Sequence, residues 1–598
     1  MKQLNNISAY RILVLLLIGL YFHNVYIFLA EIILLCFYNF KESIVLILII
    51  ILIFLTNSIK TDYIPIGIVE RKINNYYVVD KLLYKTKINN DDIDIGDIIL
   101  TDKYELISDD NYLKKNIKYT NDEYHVINTF KIRKVLNNRI EKFNPNIKNS
   151  LNKFIYNISN YDDLSFNLGY GLAIYYLIKQ INNKSKKVGF ISIIIYSLLF
   201  YFDIKFYLLI FDYILDILNI KNKIPIKYVL ICLINTNLLN NYSIQIPLFL
   251  GLFSHLSKKE DFKLYLIIIQ SILFGYINIL NTFIYKYYVK VQIILLLFSI
   301  VLLFIPSLET IYSFIISVYS NYNDLNLNIR GSISIIGFII YLLFIYMFKV
   351  ENTLIKIGLF ILILISPFNN PFYHVSFIDV GQGDSILIKS DFNKANILID
   401  TGSTYNYYKL KKYLFSQGVY CLDYLIITHN DSDHNGNVKQ LSKDFKIKNI
   451  IEQPIDVKYK DINLTNLYVK EFDNDNDNSL VYYTNINDIG LLFTGDISSN
   501  CERLLVNKYS DLSVDILKAS HHGSKSATSD YFVGRTLPKI AIISTSGMYG
   551  HPHASTIETL NNYLVKIYNT KQEKNIEIYF TKLANILKTD NLSFAIIK

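Results

Sequence analysis

The nine residues 428–436, THNDSDHNG, decide how the C-terminal part of this chain folds. They follow an apolar run, residues 422–428, that reads as a buried strand, and they place His429, Asp431, Asp433 and His434 within six positions. Four candidate ligands therefore leave one strand end. Imidazole and carboxylate together suit divalent ions of the zinc, manganese or iron kind, and a short loop on a rigid strand can aim them at two ions. Asn, Asp, Ser and Gly are also what surface turns are made of, so the loop is weighed by the company it keeps.

That company is consistent. His521, His522 and Gly523 follow the apolar residues 514–517; Gly495 and Asp496 follow 491–494; Gly550, His551, Pro552 and His553 follow 540–544. Each group stands at an expected strand end. Seven of the ten histidines are His374, His429, His434, His521, His522, His551 and His553, a gathering that packing alone does not require.

Five ordered blocks carry a resemblance: DVGQGDS at 379–385, LIDTG at 398–402, the HxDxDH pattern at 429–434, NSLV at 478–481 and LKASHHGS at 517–524. Together they resemble the metallo-β-lactamase-like superfamily, and more narrowly the C-terminal domain of ComEC-family DNA-uptake proteins. The resemblance covers roughly residues 372–598. It implies an αβ/βα hydrolase fold that binds two divalent metal ions. His429 and Asp431 would serve one ion, Asp433 and His434 the other, and Asp496 would bridge them. His521 or His522 would complete the ligand set of the second ion, with His553 or His551 as the remaining contributor. Asp431 stands where most relatives carry His.

A lone histidine usual in the superfamily between the HxDxDH loop and the Gly-Asp pair is missing, and its place is taken by Asn478-Ser479. Fewer and harder ligands favour manganese over magnesium or zinc. Asp400 is expected to orient a ligand histidine, or else to be an ordinary turn residue after a strand. Gln382 and Asp384 are expected to approach the metals or a phosphate, with Gly381 and Gly383 allowing close backbone contact. Lys518 pairs with a phosphate on one reading and is solvated on the other. The acidic run 473–478 reads as a mobile loop rather than a calcium site.

The composition divides the chain. Of its residues 52% are hydrophobic and 19% charged, against about 25% charged in an average soluble protein. The apolar excess lies in 1–59 and 166–368, whereas 60–165 and 369–598 read as soluble. The net charge of +9 fits basic loops beside membrane helices as well as nucleic acid. Cys36, Cys232, Cys421 and Cys501 have no metal-type spacing and indicate no disulfide framework.

Apolar pieces at 12–22, 25–38 and 43–57 are each shorter than the ~20 residues of a usual bilayer helix; three short spans are expected. No cleavage pattern precedes the first, so it is read as an anchor that stays. Residues 60–165 alternate in short segments and suggest a small β domain, either an OB-like barrel, by its position in the uptake family, or a plain all-β spacer. Residues 166–368 contain eight or nine apolar runs. Lysines recur in 179–187, at Lys221, Lys223 and Lys227, and at Lys258, Lys259 and Lys263. Their placement in alternate loops follows the positive-inside rule and puts 60–165, and by parity 369–598, outside the cytoplasmic membrane. The uptake family's Ser-Gly-His cluster is replaced by FNLGYGLAIYY at 166–176. Asp203, Asp212 and Asp216 either line a wet path or sit at helix ends.

The expected function is DNA uptake in transformation together with other uptake proteins: the membrane region passes one strand while the C-terminal domain hydrolyses the other. One rival is an anchored metallohydrolase of a small ester, lactam or nucleotide. The other is a non-catalytic membrane remnant.

Overall fold

The structure is a computed structural model. It describes residues 370–597 almost without break and, before them, separate stretches: chiefly 40–58, strand segments between 66 and 133, parts of 140–151, then 170–200, 204–220, 223–234, 242–256, 262–323 and 350–365. Of the expected span at 12–22, residues 12–17 are helical, with Ile12 and Leu16 packed against Leu46 and Ile53; its remainder, the span at 25–38, the replaced cluster from Asn167 to Gly169, Asp203 and most of the run 332–348 lie outside the described residues. Two compact units are distinguished, the first drawn from residues 1–269 and 278–327, the second from 270–277 and 328–598.

In the first unit, five strands close a barrel: β1 (Ile66–Ile73), β2 (Tyr76–Asp80), β3 (Lys85–Ile88), β4 (Ile98–Glu105) and β5 (Tyr124–Arg133), ordered β1-β2-β3-β5-β4. Closure leaves no sheet edge open to pair with another chain. The sequence of β2, YYVVD, is rich in the aromatic and β-branched residues that strands favour.

Among the described residues, no helix is long and apolar enough to cross a membrane. Helix Lys186–Phe200, for example, has 15 residues, about 22 Å at the α-helical rise, short of a hydrocarbon core of ~30 Å. Ile279–Phe304 is longer, but Lys286, Tyr287, Tyr288, Lys290 and Gln292 interrupt it, and its apolar end 293–304 still holds Ser299. Two sequence readings change here. The lysine-rich segment 179–187 is not an open loop: helix Tyr170–Lys184 runs through it and the next helix starts at Lys186, with the break at Ser185. The apolar run 264–285 is not one element either, because the helix Phe262–Phe274 stops at Gly275, whose φ of +73° reverses the chain where an L side chain would be strained.

Asp212 and Asp216 do not stand open to a channel. Asp212 accepts from Tyr175 Oη at 2.7 Å and lies 2.8 Å from Lys227 Nζ. Asp216 is paired with Lys223 and accepts from Asn182 Nδ2 at 3.2 Å. Charges in apolar surroundings persist only when paired in this way.

The second unit contains two sheets face to face. The first sheet is built from β6 (Tyr373–Phe377), β7 (Ile386–Lys389), β8 (Asn396–Ile399), β9 (Cys421–Ile426), β10 (Lys446–Ile451), β18 (Ile576–Phe580), β19 (Asn585–Thr589) and β20 (Phe594–Ile597), in the order β10-β9-β8-β7-β6-β18-β19-β20. The second is β11 (Val457–Tyr459), β12 (Ile462–Asn466), β13 (Tyr482–Ile486), β14 (Ile489–Phe493), β15 (Ile516–Lys518), β16 (Ile540–Ile543) and β17 (Lys566–Asn569), paired in that order. Each sheet has a parallel part: β8-β9-β10 in one, β14 to β17 in the other.

Period-two alternation assigns the faces. Val375, Phe377, Ile386 and Ile388 of one sheet meet Leu464, Tyr482, Leu491, Phe493 and Ile516 of the other in a single buried core. Phe377 and Phe493 touch across it with ring centroids 6.1 Å apart. Helices cover the outer faces; Cys501 and Leu505 of helix Ser499–Lys508 pack on Leu492 and Leu517. This is the layered αβ/βα arrangement expected for the C-terminal domain. Its parallel strands β8, β9, β14, β15 and β16 all deliver their C-terminal ends to the loops that carry Asp400, His429, Asp496, His521 and His551.

Candidate metal centre

The centre is assembled from those strand ends. β8 and β9 run in parallel with Ile399 opposite Ile426, so Asp400 and Thr428 leave the sheet together. Thr428 donates to both carboxylate oxygens of Asp400, from its N–H at 2.8 Å and from Oγ1 at 2.7 Å. Asp400 Oδ2 then lies 2.7 Å from Nδ1 of His434, which fixes that ring with Nε2 facing inward. The loop itself departs from strand geometry. Residues Ser432–Asn435 form one helical turn with Asp431 at its N-cap, so His429 and His434 are brought to ring centroids 4.1 Å apart although five positions separate them.

The LIDTG and DVGQGDS loops clamp this turn. Thr401 N–H donates to His434 O at 2.7 Å, and Asp384 N–H to Asp433 O at 3.3 Å. Gly383 has φ +115°, and a Cβ there would meet Asp433 O at 2.0 Å; only glycine fits.

Asp496 occupies the middle. Its Oδ2 is 3.3 Å from Nε2 of His434 and 3.3 Å from Nε2 of His522. His522 Nε2 is also 3.3 Å from Asp433 Oδ2, and its Nδ1 is held by Ser544 O at 2.9 Å. Among the described residues four groups of three can present one ligand atom apiece within 4.8 Å; two of them include neither Asp384 nor Asp400, the triad His429, His434 and Asp496 and the triad Asp433, His434 and His522.

The residues fit divalent ions. Nε2 of His429, His434 and His522 and Oδ1 of Asp496 are buried and make no hydrogen bond. An unmet buried polar atom costs about 1–3 kcal/mol, and the three imidazole nitrogens gather at the Asp496 carboxylate. The electrostatics agree. Burial opposes a proton on His434 and His522, yet Asp496 with Asp400, and Asp496 with Asp384 and Asp433, raise both imidazoles well above their usual range. Burial in turn would keep Asp496 protonated, and His522 and His434 carry it well below the usual carboxylate range. The pocket of carboxylates calls for positive charge, which protons or cations can supply.

The remaining candidates fall at different distances from this middle. Asp431, with 48% of its side chain exposed, lies 3.5 Å from His429 Nε2 and belongs to neither triad. His521 is 3.8 Å from Asp496 Oδ2 and partly exposed; burial lowers its pKa. His553 is elsewhere: its Nδ1 accepts from Ser555 N–H at 3.2 Å and caps helix Ala554–Asn562. The neighbouring His551 borders the centre instead, its ring 5.8 Å from that of His521 and 6.4 Å from that of His522.

Lys518 is neither solvated nor open to a phosphate. It is completely buried, paired with Asp384, 3.6 Å from Asp496 Oδ1, and donates to Gly495 O at 3.0 Å. Asp384 thus spends one oxygen on Lys518, and the other lies 3.5 Å from His522 Nδ1, behind the ring. Gln382 reaches Ser546 rather than the middle. His374 is on the far side of the first sheet, stacked 5.2 Å from Tyr579. The acidic run ends in a helix cap, where Asp477 accepts from Ser498 N–H at 2.7 Å.

Ser479, which stands with Asn478 in the place of the missing histidine, accepts from Asp496 N–H at 3.1 Å and lies 3.3 Å from His429 Nδ1. One further contributor was not read from the sequence. Glu502, fully buried, accepts from Thr528 N–H at 2.6 Å and Ser529 N–H at 2.9 Å, anchoring the end of the segment that follows the two histidines. A single acid beside Cys501 on an apolar helix face was its only signal.

Residues 378–473 match the metallo-beta-lactamase superfamily. ComE operon protein 3 of Bacillus subtilis is 29% identical over 251 residues, covering 34% of this chain and 32% of the relative. Recombination protein 2 of Haemophilus influenzae is 28% identical over 246 residues, covering 37% and 30%. Competence protein ComA of Neisseria gonorrhoeae is 27% identical over 209 residues, covering 32% and 30%. The matched stretch spans about a third of the length of each relative. These matches join a two-sheet domain that gathers the motif residues in one pocket, and over about a third of its length the chain is similar to competence proteins of the ComEC kind.

Proposed function

We propose that the chain serves DNA uptake at the cytoplasmic membrane and that its C-terminal domain is a two-metal phosphodiesterase acting on DNA. The observation that carries the hydrolase reading is the convergence of unbonded Nε2 atoms from three histidines around the Asp496 carboxylate. His429, His434 and Asp496 would hold one ion, and Asp433, His434 or His522, and Asp496 the other. Bound ions would supply Lewis-acid stabilisation of phosphoryl charge and lower the pKa of water. Asp400 and Ser544 set the two inner imidazoles so that Nε2 faces the pocket. Lys518 neutralises part of the buried carboxylate charge while staying out of reach of substrate. Ser479 in place of a histidine beside His429 leaves that side short of a nitrogen ligand, which favours manganese or magnesium.

A membrane location for the first unit draws support from its surface. Val188, Ile191 and Ile195 of helix Lys186–Phe200 are 50%, 55% and 51% exposed, an apolar face that water disfavours and lipid or a partner would cover. The barrel of β1 to β5 has the strand number of the OB-fold, which many proteins use on single strands. We assign both soluble parts to the outer side and the passage of one strand to the helices.

The test is cleavage. The full chain, purified in detergent, is expected to degrade linear single- and double-stranded DNA without sequence preference when manganese is added. Hydrolysis of a lactam or lactone with no action on DNA would overturn the assignment.

A further inference from the structure

The turn after β16 carries an exposed aromatic ring toward the metal centre. Met548 and Tyr549 are 42% and 75% exposed. A single exposed tyrosine needs no explanation, but this one has unusual backbone. Tyr549 has φ +57°, between Gly547 at +86° and Gly550 at +72°, and a bulky residue in the left-handed region is a genuine outlier. Such strain persists where the surroundings over-determine it, and they do so here. Thr545 Oγ1 accepts from Gly547 N–H at 3.0 Å and donates to His551 O at 3.2 Å. Thr545 N–H is held by Thr570 Oγ1 at 2.9 Å, and His551 N–H donates to Met548 O at 3.0 Å. The turn is therefore a braced projection that keeps its largest apolar side chain in water.

The ring is also in line with the chemistry. Tyr549 lies 6.3 Å from His551, and His551 lies 6.4 Å from His522, whose Nε2 touches Asp496 and Asp433. Two ring-to-ring steps thus join solvent to the pocket. We propose that Tyr549 is a stacking platform for the nucleobase next to the scissile phosphate, with His551 beneath the intervening sugar; this rests on the phosphodiester reading above. Every base has a π-face, so a platform without hydrogen-bond readout binds nucleotides of any sequence. The occupant is a single strand or a frayed end, because a base stacked in a duplex has no free face to offer.

The chain contains no tryptophan, which permits a direct test. Tyr549→Trp introduces a unique indole in the full chain, and its fluorescence is followed as a short oligothymidylate or an abasic oligonucleotide of equal length is added with manganese. Quenching by oligothymidylate and not by the abasic strand is expected. Equal quenching by both, or by neither, overturns the stacking role. In cleavage assays Tyr549→Ala should raise KM roughly ten-fold or more on oligonucleotides and leave it unchanged on the abasic strand, while Tyr549→Phe behaves as wild type. Base-dependent quenching in a chain that cleaves no DNA would instead remove the hydrolase reading and keep the platform.

Discussion

Asp400 and His434 form the most strongly constrained contact of the pocket: Oδ2 and Nδ1 are 2.7 Å apart, both side chains are buried, and Thr428 holds the carboxylate from two directions. The carboxylate sets which nitrogen of His434 faces inward. Asp400→Ala removes that control without removing a ligand. Metal affinity is expected to fall by about 10–100-fold, read by titration of the apo chain with manganese. Unchanged affinity would mean that packing alone orients the ring.

Lys518 is a buried cation between Asp384 and Asp496. Burial disfavours its charge, yet Asp384 and then Asp496 raise its pKa above the usual lysine value. Lys518→Met leaves two buried carboxylates facing each other with one counter-charge fewer. Breaking a buried pair from one side costs about 3–5 kcal/mol, seen as a fall in Tm of the apo chain. The double variant Lys518→Met, Asp384→Leu should recover part of that loss, because the orphaned charge is gone as well. A single variant as stable as the double would contradict the pairing.

His374 gives the fold a pH dependence away from the centre. Complete burial, then Lys389, push its pKa down to about 4, below the unfolded value near 6.5. Between these values the unfolded chain binds the proton and the folded chain does not, so this residue makes stability rise with pH from about 4 to 6.5. The full span is at most about 3 kcal/mol. Asp590, raised to about 6 by burial and Glu577, acts with the opposite sign in the same window. The informative quantity is therefore the difference between wild type and His374→Phe: the variant should lose less stability than wild type as pH falls from 6.5 to 4.5. Parallel curves of Tm against pH would refute the assignment.

What the sequence made legible follows the chemistry of strand ends. Apolar runs capped by Asp, His and Gly located Asp400, the 428–436 loop, Asp496 and His522, because a buried strand can expose polar groups only where it ends. The finer placement was hidden. A strand's period of two does not carry through Ser432, since Asp431 stands at the N-cap position of a helical turn there. His553 and His551 are indistinguishable by spacing, and the positive-φ residues from Gly547 to Gly550 decide which one meets the centre. Lys518 reads as a surface lysine unless its fully buried partner Asp384, 134 positions earlier in the chain, is known to lie beside it. In the helical unit, composition marked the apolar runs but not their ends, because Gly275 and Ser185 set breaks that hydropathy averages over.

The central claim is that Asp496, between His434 and His522, joins two divalent ions that the domain needs for hydrolysis. The most direct measurement is metal content of the full chain after manganese loading and desalting, taken with DNA cleavage on the same samples, for wild type, Asp496→Ala, Asp433→Ala and Asn430→Ala. The account predicts about two ions and cleavage for wild type and for Asn430→Ala, which replaces an exposed residue that belongs to neither triad. It predicts loss of bound metal and of cleavage in both aspartate variants. Full metal content and undiminished cleavage in Asp496→Ala would contradict it.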